Sequence, residues 1–123
     1  MTPLVTVEEA CEQLRIDGMA DDPWLEIMIP AISAAVLSWL KDPLRAYETK
    51  EDSNGDLVLV EDSNGDNIPL AQAKAACMVE LAQQYRFRDG GGAAKHPESW
   101  GHGYVLGVGA TSLLWSLRKS TVA

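Results

Sequence analysis

The sequence predicts a mainly α-helical small domain of about four helices, with an acidic β-hairpin inserted before the third and a long glycine-rich arm before the last. Three observations carry this expectation. Apolar residues recur at three- and four-residue spacing in four stretches, the mark of one-sided helices. The acidic run Glu51-Asp-Ser-Asn-Gly-Asp56 recurs unchanged as Glu61-Asp-Ser-Asn-Gly-Asp66, around a β-prone Leu57-Val-Leu-Val60. Residues 90–109 are rich in glycine, with one proline. The 123 residues suffice for one domain, 1–123, and are too few for two of ordinary size. Leu, Ile, Val and Phe make up 29 of them, about 24%, above the level at which disorder becomes the default. The core they can form is modest at this size, and self-association would help it.

The first helix starts at Thr6. Thr6-Val-Glu-Glu9 is a capping box, in which the hydroxyl accepts from the Glu9 amide and the Glu9 carboxylate reaches back. Val7, Ala10, Cys11 and Leu14 share a face, and Asp17-Gly18 is expected to end the helix through a left-handed glycine. Asp22-Pro23 opens the second helix as N-cap and first-turn proline. Leu25, Met28, Ile29, Ile32, Val36, Trp39 and Leu40 form its apolar stripe, widened by Trp24, Ile27, Ala31, Ala34 and Ala35. A helix apolar nearly all round is buried on several sides, by its own domain or by a partner. Pro30 should kink or split it, and Asp42-Pro43 closes it. Within residues 44–68, Asn54-Gly55 and Asn64-Gly65 are expected to form two-residue turns with positive φ at both centres, giving a hairpin or three-strand meander. A third helix should run from about Pro69 to Arg88, with Ala73, Cys77, Leu81 and Tyr85 four apart. After the arm, a last helix over 110–120 carries Leu113, Leu114 and Leu117, with Trp115 on another side.

Charge limits the function. The net charge is −8, which argues against a protein whose main task is gripping phosphates. The distribution is uneven: residues 1–43 carry a net of −6, residues 44–68 a net of −5, and residues 69–123 a net of +3. An acidic front and a basic rear suit head-to-tail association of copies. Met1-Thr-Pro-Leu4 has neither a basic region nor an apolar run, so no signal peptide is expected. The most apolar window, Trp24–Leu40, is 17 residues with Glu26 and Pro30 inside, and reads as a core helix rather than a membrane span. Two distant cysteines, Cys11 and Cys77, support neither a disulfide framework nor a zinc site and fit a reducing cytoplasm.

Sites of chemistry are scarce. The Asp-Ser-Asn-Gly-Asp repeats begin like calcium loops, but from Asp52 the sixth and twelfth positions are Leu57 and Ser63, and from Asp62 they are Asn67 and Ala73. Both lack the turn glycine and the bidentate glutamate, so plain turns are expected and no metal. His96 and His102 have no ligand partner at short spacing. A Cys–His dyad would require Cys11 or Cys77 to leave an apolar face. Gly107-Val-Gly109 lacks a phosphate-loop pattern. No enzyme and no cofactor are expected. A helix-turn-helix over 6–41 would need a polar or basic second helix, which this is not. A small DNA-binding or packaging regulator remains the alternative, and a calcium-dependent interaction module a third.

Three stretches, in order, resemble the phage head–tail connector (adaptor) family, the QLRG type of DNA-packaging or head-completion protein. Thr6-Val-Glu-Glu-Ala-Cys-Glu-Gln-Leu-Arg-Ile-Asp17, then Asp21-Asp22 and a long apolar helix, is similar to the family's opening; here the signature reads Gln13-Leu14-Arg15-Ile16-Asp17, with Ile16 in place of glycine. Pro69 to Tyr85-Arg86 resembles its third helix, and Gly107-Val108 before Leu113-Leu114 and Arg118 its tail helix. The 44–68 insert and the 90–109 arm depart from the pattern. The resemblance implies a structural virion protein at the head–tail junction, made in the host cytoplasm. Its copies would form a homo-oligomeric ring under the portal, of the portal's twelvefold symmetry. The ring extends the DNA channel, passes DNA without sequence-specific binding, and offers the stopper or tail a platform. In this reading Leu113, Leu114, Trp115, Arg118 and Lys119 face the portal. Leu14, Ile32, Val36, Cys77 and Leu81 hold the core, and Arg15 is a structural ion-pairing residue near Asp17 or a neighbour. Removing the chain after Gly109 would then spare the helical content.

Overall fold

A computed structural model describes residues 2–86 and 106–119. They form four helices, α1 (Val7–Leu14), α2 (Asp22–Leu40), α3 (Ala71–Arg86) and α4 (Val108–Leu114), with a small antiparallel hairpin between α2 and α3. The mainly helical domain with an inserted hairpin is therefore as the sequence predicts. Helix α3 lies at the centre, with α1, α2 and α4 packed on it. Ile32 and Val36 of α2, Cys77 and Leu81 of α3 and Leu114 of α4 are fully or almost fully buried in one core. Leu14, expected there, packs against it half-buried.

Helix α1 opens on the expected capping box: the Glu9 amide donates to Thr6 Oγ1 at 3.1 Å, and the Thr6 amide donates to Glu9 Oε1 at 3.0 Å. It stops earlier than expected. Arg15, at φ 57°, is the left-handed residue that ends it; Gly18 is left-handed as expected, at φ 80°, but lies beyond the stop. The amide after Arg15, that of Ile16, donates to the Cys11 carbonyl at 2.9 Å, and the Ile16 side chain packs on the core. Burial of Ile16 thus holds a non-glycine in a conformation that costs about 1 kcal/mol. Arg15 itself is exposed and makes no ion pair with the described residues, against the expectation of a partner near Asp17.

Helix α2 starts one residue early. Asp21 is the N-cap but makes no capping hydrogen bond. Its Oδ2 instead accepts from Tyr85 Oη at 2.8 Å, which ties the start of α2 to the end of α3. Pro30 does not split the helix, which runs unbroken for 19 residues. Pro30 lies on the exposed side, while Ile29, Ile32 and Ser33 beside it are buried and hold the backbone in place. This helix is long and apolar enough, by length and composition, to cross a membrane. Its Leu25, Ile29, Ile32, Val36 and Leu40 face the domain core, which accounts for one side of that composition.

In the insert, β1 (Thr49–Glu51) pairs with β2 (Leu57–Leu59), matching Thr49 to Leu59 and Glu51 to Leu57. Val60 extends this ladder by donating its amide to the Glu48 carbonyl, and residues 68–70 then return along residues 46–48: the Glu48 amide donates to the Ile68 carbonyl, and Tyr47 pairs with Pro69. The turns differ from those expected. In each copy only the glycine has positive φ, Gly55 at 82° and Gly65 at 80°. Asp52 and Asp56 close a three-residue loop, as do Asp62 and Asp66. The aspartate explains the change. Asp52 Oδ1 accepts from the amides of Asn54 and Asp56, and Asp62 Oδ1 from those of Asn64 and Asp66. An Asx turn of this kind fixes an ordinary first turn and leaves only the last position left-handed.

Helix α3 begins at Ala71, two residues after the expected start; just before it the Leu70 amide donates to the Ala46 carbonyl at 2.8 Å, so residue 70 still belongs to the extended return of the insert. Helix α4 begins at Val108, two residues before the expected start, and passes into a 3₁₀ turn, Trp115–Leu117. The expected end of α3 at Arg88 and most of the arm, residues 90–105 with His96 and His102, lie outside the described residues.

Candidate assembly surfaces

The polar groups buried in the core serve the fold. Ser33 Oγ accepts from the Leu4 amide at 3.0 Å and lies 3.8 Å from Cys77 Sγ. Burial pushes the Cys77 thiol up to about 11, against the lowering effect of the Ser33 contact, with the nearby Glu80 adding to the rise. A thiol so protonated is no nucleophile at neutral pH. Glu80 is 1% exposed, and its Oε1 accepts from the Gly107 amide at 2.8 Å. It fixes the chain where it enters α4. The sequence reading missed Glu80, although a glutamate one turn beyond Ala76-Cys77 on an otherwise apolar face was the available signal. Tyr47, also missed as an anchor, is buried and donates its hydroxyl to the Thr2 carbonyl, lacing the N-terminal segment to the insert.

No three His, Cys, Asp or Glu side chains among the described residues gather where an ion could sit. Asp52 and Asp62 are occupied with backbone amides, as above. Among the described residues, three surfaces stand out.

The first is the end of the chain. Of the residues proposed to face a partner, Leu114 has no exposed area and Leu113 is half-buried. With Ala110 and Leu106 they close the core over α3, so the segment is structural and not a detachable tail. Trp115 is 69% exposed. It leans on Trp39, ring centres 6.1 Å apart. The Arg118 guanidinium lies 4.4 Å over the Trp39 ring, and its Nε donates to the Trp39 carbonyl at 3.0 Å. The Lys119 amide donates to Leu40, its side chain is exposed, and Arg45 reaches the Leu117 carbonyl. Arg118 thus sits on Trp39, and Lys41, Arg45 and Lys119 lie at the same end of α2, with Asp42 3.9 Å from Arg45.

The second place is a groove of about 350 Å³ at the other end of α2. Val5, Leu25 and Ile29 form its floor, Pro3, Val7 and Pro30 its walls, and the exposed Glu26 and Asp66 stand on its rim. The third is the outer face of α2. Ile27, Pro30, Ala31 and Ala34 follow one another along it, all exposed, with Ile27 at 71%. The over-apolar composition of α2 therefore has two causes: one side is core, the other is uncovered.

No family model matches the chain, and no curated protein or solved structure matches it.

Proposed function

We propose that the chain is a structural subunit of a tailed-phage virion, a head–tail connector whose copies form a ring under the portal. The ring extends the DNA channel and gives the stopper or tail its platform. The observation that carries this reading is the uncovered apolar face of α2, Ile27-Pro30-Ala31-Ala34, on a subunit that also exposes Trp115. Such faces belong to interfaces, and identical neighbours around an axis cover them by symmetry. The ordered resemblance of the three sequence stretches supplies the assembly in which those neighbours sit. A net charge of −8 supports a channel component along which DNA slides, since it provides few phosphate anchors. The work is mechanical and needs no cofactor. Of the five residues expected to face the portal, Trp115 and Lys119 are the exposed ones, with Arg118 braced on Trp39 behind them.

Two measurements test this. The purified chain should co-sediment with portal-bearing heads of the virus that encodes it, in many copies per head; failure to bind those heads would overturn the proposal. In a salt titration with duplex DNA, binding should stay weaker than micromolar. Micromolar affinity with a steep salt slope would instead favour the DNA-binding alternative.

A further inference from the structure

We infer that the Trp115 corner of one copy docks in the Val5–Leu25–Ile29 groove of the next copy, so that the two ends of α2 form the two halves of one head-to-tail contact. The inference rests on the ring reading and deepens it by naming the surfaces and the occupant. The two features are complementary in shape. One is a projecting aromatic side chain, 69% exposed. The other is a groove of about 350 Å³ with an apolar floor. They are complementary in charge. The corner carries Lys41, Arg45, Arg118 and Lys119, and the rim of the groove carries Glu26 and Asp66.

They cannot meet within one chain. Leu25 and Trp39 are separated by about 21 Å of helix at 1.5 Å per residue. A contact between unlike patches at opposite ends of a subunit is heterologous, and it closes into a ring when the rotation between neighbours allows. The corner is also preorganised, because Arg118 is held over Trp39 and bonded to its carbonyl before any partner arrives. Tryptophan and arginine are the residues most often dominant at interfaces. The outer face of α2, which runs past the groove at Pro30, would be shielded by the same neighbour.

The test uses the full chain and two variants, Trp115→Ala and Glu26→Lys with Asp66→Lys, followed by sedimentation equilibrium and checked for native melting. The native chain should self-associate, and each variant should do so about 30-fold more weakly, the loss typical of a dominant interface residue. The decisive sample is the equimolar mixture. The first variant keeps its groove and the second keeps its tryptophan, so together they should form a one-to-one pair that does not grow. Should Trp115→Ala melt early, Lys41→Glu with Lys119→Glu takes its place. Building these reversals into the same chain as Glu26→Lys with Asp66→Lys should then restore association. A native chain that stays single at millimolar concentration, variants that associate like the native chain, or a mixture without pairs would each overturn the inference. One result separates it from the function proposed above. If Trp115→Ala copies associate normally but no longer bind portal-bearing heads, the corner belongs to the portal, and the ring reading stands without this contact.

Discussion

At the scale of single residues, two titrating groups give the fold a signature in pH. Cys77 has a folded value of about 11 against an ordinary 9.0. Between those values the unfolded chain gives up the proton first, so folding stability falls as pH rises from 9 toward 11. The loss is about 2 kcal/mol. Burial raises Tyr47 as well, and it adds to the same decline at higher pH. Chemical denaturation across this range should show the fall, and Cys77→Ala should remove its onset near pH 9. In the native chain a maleimide should label half-buried Cys11 and spare Cys77, as read by mass spectrometry. Glu9 works at the acid end. Burial would raise its carboxyl, but the Lys74 ammonium at 2.6 Å and the Thr6 amide outweigh it and hold the group below its ordinary 4.5. The stability this gives is complete above pH 4.5 and fades as acid carries the pH through the lower folded value. Glu9→Gln keeps the reach back to Thr6 and removes the charge, so it should cost about 0.2–1 kcal/mol at neutral pH and flatten the acid limb. Glu9→Ala should cost about 1 kcal/mol further by losing the cap.

At the scale of elements, α4 is the revealing case. Leu113, Leu114 and Arg118 read from sequence alone as residues that dock on a partner. Periodicity shows that a helix has an apolar side; it does not say whether that side meets its own domain or another molecule. The structure shows Leu114 fully buried against α3. Leu114→Ala should therefore destabilise the chain by about 2–5 kcal/mol, and removal after Gly109 should abolish cooperative melting. A truncated chain with native helical content by circular dichroism would contradict this placement. Local chemistry was easier to read. The capping box at Thr6 and the antiparallel insert depend on neighbours in sequence and emerged as written. The stop of α1 at Arg15, the late start of α3 and the Asp52 and Asp62 turns were illegible because distant or competing partners decide them. Ile16 needed the core, Leu70 needed Ala46, and the aspartates captured amides that a two-residue turn would have left free.

At the scale of the whole molecule, the candidate surfaces were half legible. Uneven charge and an over-apolar α2 pointed to association of unlike faces. That Trp115 and the Glu26–Asp66 groove stand at opposite ends of α2 follows only from the fold, since residues 5, 25, 66 and 115 are far apart in sequence. A chain of this size has a modest core, and in the proposed ring, neighbours covering Ile27, Ala31 and Ala34 would supply apolar burial it cannot supply itself. The most direct test is an averaged image of portal-bearing heads to which the purified chain has been added. A closed circle of copies below the portal, with the outer face of α2 covered by the adjacent copy, is the result this account predicts; isolated copies at that vertex with α2 facing solvent would contradict it.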